Sequence, residues 1–475
     1  MSALPDFNRK AASASLIRMS LPILVGQLAQ MGISTGNVIL AGHSSTVDLA
    51  AVSLGASLWV PLLVLMNGIL MGLTPVVAQL FGARRFADMR YPVQQNGWIA
   101  LCCGVIAALL IYAVAPSLLT LMSVPDDVQA AATRYLHMVA FGMPGLALYF
   151  ALRAWSDGLN HTRPGLWISL LGLAASVAVG ILLVSGVAGL PRFGAVGCGI
   201  ASAVSMWVSC LCMWRYVAKV KVYRPVEVWK DGLHPPRLSS IIALLKVGLP
   251  IGVAVFSEVT MFSVIALLIS IYGTVTIAAH ELALNITGVL FMVPLSLGIA
   301  LTIRVGTRLG EQQPRVARKE AWNGMLLAVL GALINALIIW FFARQILALY
   351  TSNADVIALA INLLHLTMIF QLSDSLQAGL AGALRGYKDT RAVMLITLTA
   401  YWPIGIGSGV ILGYGVGSAF EGFGIYGFWT GFIISLTSAA IMLAFRLHRV
   451  ARRHAPPSWL LKETPVSQSY PQTKL

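Results

Sequence analysis

The sequence predicts an all-α polytopic membrane protein, with 12 transmembrane helices in two six-helix bundles related by a parallel pseudo-two-fold. Three observations carry this. Of 475 residues, 58% are hydrophobic and only 10% are charged, a balance foreign to soluble domains. Apolar runs of about 20 residues, each long enough to span a bilayer as a helix, recur along the chain. The second half also repeats the first at one fixed offset.

Helices are expected near residues 15–40, 49–73, 96–121, 134–157, 166–190 and 195–217. A polar, proline-containing segment follows, and six more spans lie near 243–270, 276–302, 321–348, 358–384, 393–413 and 424–446. The implied organisation is an N-lobe (1–220), a linker (221–240), a C-lobe (241–450) and a tail (451–475). "AASAS" at 11–15 resembles a cleavage site but precedes the first apolar run, so the first helix is expected to stay in the mature protein.

The repeat appears when the chain is shifted by 228. Leu21-Pro22 then falls on Leu249-Pro250, Ala50-Ala51 on Ala278-Ala279, and Asp127-Val128 on Asp355-Val356. Leu136-His137 falls on Leu364-His365, and Thr162-Arg163 on Thr390-Arg391. A single offset held over so many turns indicates duplication. Six spans is an even number, so both halves enter the membrane in the same sense. Parallel repeats with a site at their interface are a transporter architecture.

With the N-terminus placed inside, all of the 32 basic residues except Arg134, Arg192 and Arg344 fall in inside segments. This asymmetry predicts both termini in the cytoplasm of an inner (plasma) membrane protein. It also accounts for the net charge of +15 without nucleic acid. The five cysteines lie in apolar spans and show no metal spacing, so they read as small packing residues.

Of 17 acidic residues, Glu258, Glu281 and Asp374 fall within spans, all in the second half. Their first-half counterparts are Gln30, Ser53 and Leu146. A mid-bilayer charge costs several kcal/mol and persists where it meets a cavity or a cation. Such acids can carry H⁺, or can hold Na⁺ through oxygen ligands, with Glu258 and Asp374 as metal ligands only in the Na⁺ case. A satisfied interhelical hydrogen bond is the plain alternative, strongest for Glu281 near its helix end. "HELAL" lacks the second histidine of a zinc protease, and "GHSST" lacks the second glycine of a nucleophile elbow. No Walker sequence is present, so transport must run on an ion gradient. No cofactor and no enzymatic activity is expected. Phe256, Phe262, Met292 and Phe370 are candidates to line a cavity for flat lipophilic cations, and Asn285, Gln30 and Asn37 are polar candidates for it.

The chain resembles the MATE (multidrug and toxic compound extrusion) transporters, in their NorM branch. The stretches that carry this are "SLPILVGQLAQMG" (20–32), "DLAAVSLGASLWVP" (48–61), "VGLPIGVAVFSE" (247–258), "HELALN" (280–285), "FQLSDSLQ" (370–377) and "GALRGYKDTR" (382–391). The resemblance implies a monomeric antiporter expelling cationic drugs and dyes in exchange for H⁺ or Na⁺, with Glu258 and Asp374 as the second-lobe cation site. There are departures. Asn37 stands where the family usually has aspartate, Ser176, Ala178 and Gly180 replace an "NxPxN" pattern, and Phe370 replaces a tyrosine found in some Na⁺-coupled members. Glu281 replaces a more usual glutamine. A flippase of related fold for lipid-linked oligosaccharide is the alternative; it would need basic residues in the cavity, and none is expected mid-span.

Overall fold

A computed structural model describes residues 8–121, 124–186, 191–230, 232–416 and 420–454. The tail expected beyond His454 lies outside the described residues. The N-lobe comprises α1 (Arg9–Ser44), α2 (Thr46–Leu70), α3 (Leu73–Gly82), α4 (Arg90–Leu121), α5 (Asp126–Gly158), α6 (Arg163–Ser185) and α7 (Ala195–Lys219). The C-lobe comprises α8 (Leu238–Leu268), α9 (Thr274–Gly310), α10 (Pro314–Ala348), α11 (Ala354–Gly386), α12 (Thr390–Thr399), α13 (Gly407–Tyr414) and α14 (Ile425–His454). Together they make 12 helical segments long and apolar enough to cross a membrane. Within lipid, a helix satisfies every backbone polar group internally, which is why the apolar runs fold this way.

Most helices outrun their apolar cores. The first begins at Arg9, where the Asn8 side chain accepts from Ala11 N at 3.0 Å. Such polar end turns lie beyond the hydrocarbon, so hydropathy does not register them. The second span breaks at Met71-Gly72 and continues as α3, nine residues past its expected end at 73. The eleventh, expected as one helix, contains a π-helical turn at Ala400–Ile406 around Pro403, which joins α12 to α13. Pro403 has no N–H to donate, so the ladder re-registers there. Two two-residue strands, β1 (Gly415–Val416) and β2 (Phe420–Glu421), pair antiparallel after α13. The repeat is visible in the helix ends: α5 and α11 each start and stop 228 residues apart.

Alternate crossing puts the start of α1, the end of α14, the segment after α7 and the turns after α3, α5, α9 and α11 on one face, the terminus face. The linker is fastened to the N-lobe there. Tyr223, Val226 and Val228 are buried in its core. Gln94 donates to the carbonyls of Val228 (2.6 Å) and Gly232 (2.9 Å) and accepts from His234 N at 3.1 Å. Gln95 donates to Pro235 O at 3.1 Å and accepts from Arg237 N at 2.9 Å. The free joint between the lobes therefore shrinks to the start of α8.

The lobes meet along small residues near the terminus face. A Cβ on Gly68 of α2 would stand 2.5 Å from Gly252 Cα of α8, and one on Gly72 would stand 2.5 Å from Gly248 Cα. Only glycine permits this approach. Deeper toward the terminus face, Gly82 meets the Thr307 backbone and Gly310 meets that of Gln79. Asn160 Nδ2 donates to Thr307 Oγ1 (3.1 Å), Gln79 Nε2 to Gly386 O (3.0 Å), and Arg9 Nε to Asn323 Oδ1 (3.2 Å).

Eleven residues along the same helical stripes, roughly 16 Å toward the opposite, far face, Ser57 and Ser263 are exposed. On α9 the stripe that packs on the N-lobe at Ile299, Gly306 and Gly310 continues to Asn285 and Glu281, both exposed. A Cβ at Gly288 on that stripe would meet nothing within 4 Å. The lobes thus enclose a cleft that closes at the terminus face and widens toward the far face.

Gly252→Leu should wedge this seam. Overpacking costs about 1–3 kcal/mol, which raises the open fraction by about 5- to 150-fold. In a background without native cysteines, a cysteine at Thr307 should react faster with a maleimide applied to the terminus face once Gly252→Leu is added. Unchanged labelling would refute a glycine-controlled seam.

Candidate functional site

Glu258 sits on α8 about a third of a turn away from the Gly248/Gly252 stripe, so it points into the C-lobe rather than the seam. Asp374 faces it from α11 and is only 2% exposed. The two carboxylates lie within electrostatic reach of each other. Glu258 is half-buried and keeps some contact with open space. What holds α11 in place is close packing on α9: a Cβ on Gly382 would stand 2.1 Å from Gly298 O, and Thr302 Oγ1 donates to Gly382 O at 2.8 Å.

The π-helical turn supplies the third side of the site. Tyr401 is fully buried, and its hydroxyl lies beside the Glu258 carboxylate and accepts from Gln377 Nε2 at 2.7 Å. The next residue, Trp402, donates from Nε1 to Ser257 Oγ at 2.9 Å. Consecutive residues of the turn therefore grip consecutive residues of α8. Ser435 Oγ of α14 donates to Ala400 O at 2.9 Å, and single π-turns inside helices are frequent at functional sites. Among the described residues Gln377 Oε1 has no hydrogen-bond partner, which leaves another oxygen in the same interior.

Arg385 ends α11 on the terminus face, where the sequence puts it, yet its side chain is buried, 8% exposed and within electrostatic reach of Glu258. Arg153 of α5 is equally buried. Buried basic groups thus exist inside the helices, but each is opposed by an acid: Arg385 by Glu258, and Arg153 by Asp157 at 3.7 Å.

Sequence reasoning missed Tyr401, Gln377 and Arg385 as members of one site. The signal available was a hydroxyl just before a mid-span proline, in "AYWPIG", and a second polar residue one turn after Asp374. Neither shows its partner without the packing of α11 against the π-turn.

The other expected residues divide into two settings. Phe370 and Phe262 pack with Trp429 and Phe432 on the far-face side of Asp374, with ring centroids 4.8–6.4 Å apart. Phe370 is fully buried there. Glu281, Asn285 and Met292 share the α9 stripe on the cleft wall, and Asn285 Nδ2 donates to Glu281 O at 2.8 Å. Glu281 is exposed and stands apart from the Glu258–Asp374 pair. Gln30, two turns beyond Ile23 on the C-lobe-facing stripe of α1, and Phe256 are half-buried. Asn37 is buried inside the N-lobe, where its Nδ2 donates to Ser202 Oγ at 2.7 Å. His280 is fully buried against Trp429.

The family model MatE matches residues 22–182 and again 250–411, two stretches whose starts lie 228 residues apart. The multidrug resistance protein MdtK of Yersinia pseudotuberculosis is 37% identical over 448 residues, covering 94% of this chain and 97% of that protein. The probable multidrug resistance protein NorM of Mannheimia succiniciproducens is 37% identical over 444 residues, covering 94% and 95%. Among solved structures, an outward-facing multidrug resistance MATE family transporter superposes with TM-score 0.84 at 19% identity, over 94% of this chain and 97% of that one. A eukaryotic MATE transporter gives 0.82 at 19%, over 94% and 98%. Matched by the family model in both halves and by curated relatives along nearly its whole length, the chain belongs to the MATE family, in its NorM and MdtK branch, and is a membrane transporter rather than an enzyme.

Proposed function

We propose that the protein is a monomeric antiporter of the inner membrane that exports lipophilic organic cations in exchange for H⁺, with Na⁺ as the alternative ion. The terminus face is cytoplasmic in this scheme, as the basic residues there suggest. The observation that supports it most is the enclosed C-lobe group of Glu258, Asp374, Tyr401 and Gln377. Two carboxylates this close, one of them buried, hold a cation, or a proton, far better than they tolerate being ionised together. Loading the site removes that repulsion, and only a difference of this kind between two conformations can link ion entry to drug release. The lobes would rock about the start of α8, presenting the cleft alternately to each face.

The choice of ion rests on oxygens. Phe370 brings none, which favours H⁺. Tyr401 and the unpartnered Gln377 Oε1 favour Na⁺, since together with the carboxylates they make a set of hard donors. The drug surface is the cleft wall of Glu281, Asn285, Met292, Phe256 and Gln30, with Glu281 as the acid that attracts the organic cation. Export of lipid-linked phosphates is disfavoured because Arg153 and Arg385 both face acids.

Ethidium efflux from proteoliposomes under ΔpH without Na⁺, then under a Na⁺ gradient at fixed pH, should show drive by ΔpH alone. Glu258→Gln and Asp374→Asn should each abolish driven efflux, and both remaining active would end the proposal. Glu281→Gln should instead raise the half-saturating ethidium concentration and leave the drive intact.

Tyr401→Phe tests the π-turn. It removes the oxygen that Gln377 donates to, and a buried polar group left unpaired costs about 1–3 kcal/mol. Driven efflux should fall by about tenfold or more, while detergent-extracted protein keeps its melting temperature within a few degrees. Wild-type efflux in this variant would place Tyr401 outside the mechanism.

A further inference from the structure

The N-lobe has its own buried charges, which the coupling scheme does not use. Arg153 and Asp157, one turn apart on α5, have side chains only 10% and 9% exposed. Arg153 Nε stands 3.7 Å from Asp157 Oδ2, too far for a hydrogen bond. Arg153 is fitted between α1 and α6 by two glycines: a Cβ on Gly165 would stand 3.3 Å from its Nε, and one on Gly26 would stand 3.6 Å from an outer nitrogen.

The pair borders a cavity of about 20 Å³, walled by Gln27 of α1, Asn67 of α2 and Thr74 of α3 from the N-lobe. One wall comes from the other lobe: Ile299, on the α9 stripe that forms the seam. That volume holds about one water, and the lining offers it polar partners. The only C-lobe group is apolar, so parting the lobes at the terminus face removes a lid from an ion pair.

We infer that Arg153 and Asp157 form a charged seam site that holds a single water and biases the transporter toward opening at the terminus face. An ion pair without hydrogen bonds recovers little of the hydration its charges give up. With the seam shut, Ile299 caps the cavity and limits the pair to that one water. With the seam parted, water reaches both charges. The two conformations differ in how well they solvate this pair, and that difference sets their ratio. The site acts whichever ion drives the transporter, and it rests only on the rocking of lobes proposed above.

The test places spin labels at Arg163 and Lys388, exposed on the terminus face of the two lobes, and measures their distance distribution in full-length protein in nanodiscs. Arg153→Met with Asp157→Leu replaces the pair by apolar side chains of similar size. The short-distance, seam-closed population should grow relative to the open one by about fivefold or more. Drug efflux should slow while ethidium binding at equilibrium persists. Arg153→Met alone strands a carboxylate in the closed seam and should shift the distribution the other way. If that single variant fails to fold, the double variant and Asp157→Asn decide, the latter stranding the guanidinium and so also expected to shift the distribution toward the open form. A double variant with the wild-type distribution overturns the inference and leaves the coupling proposal standing. A wild type with one unchanging distance across pH, Na⁺ and ethidium overturns both this inference and the rocking it rests on.

Discussion

The approach of Gly68 to Gly252 and of Gly72 to Gly248 governs the rest of the molecule. Between lipid-embedded helices no hydrophobic force draws one bundle to another, because the acyl chains are as apolar as leucine. Contact must come from dispersion across a tight fit and from a few hydrogen bonds. Glycines supply the fit by letting backbones touch, and they do so only near the terminus face. Everything beyond that contact is free to splay. The cleft, its polar wall on α9 and the closed floor beneath it all follow from where the small residues stop.

The C-lobe interior obeys a different rule. A carboxylate there needs partners, and the fold provides them by interrupting a helix. Pro403 breaks the regular ladder of the eleventh span, and the wider turn brings Tyr401 and Trp402 together onto Ser257 and Glu258. The aromatic group of Phe262, Phe370, Trp429 and Phe432 seals the far-face side of the same interior. Polar and aromatic residues therefore divide the lobe along its length, with the acids held below a hydrocarbon plug.

Much of this was legible in the sequence. Twelve apolar runs, a fixed offset and three misplaced acids are enough to place the spans and the duplication and to nominate the acids, because each is a one-dimensional signal; singling out Glu258 with Asp374 came from the family resemblance. What stayed hidden depended on three dimensions. Arg385 reads as a turn residue because it sits one position before Gly386, where α11 ends, and only the tilt of its side chain into the lobe makes it part of the interior. Tyr401 reads as a packing aromatic because a π-turn has no period that a hydropathy profile detects. Glu281 is set apart in the sequence only by its place near a helix end, and the α9 stripe adds that it faces the cleft. The extension of the second span through Leu73–Gly82 was invisible for a simpler reason: a break at Met71-Gly72 looks like an end.

The make-up of the glycine seam also constrains how this protein can evolve. A contact between side chains can be strengthened or weakened by exchanging one size for another, so it offers selection a dial. A contact between backbones at glycine is already at its closest approach, and every substitution moves it the same way, toward looser. Lineages that need a different balance of conformations, for a colder membrane or a bulkier toxin, must find the adjustment beside the seam and not in it. Residues such as Asn160, Thr307, Asn323 and Ser13, which cross it by side-chain hydrogen bonds, are where such tuning has room to occur.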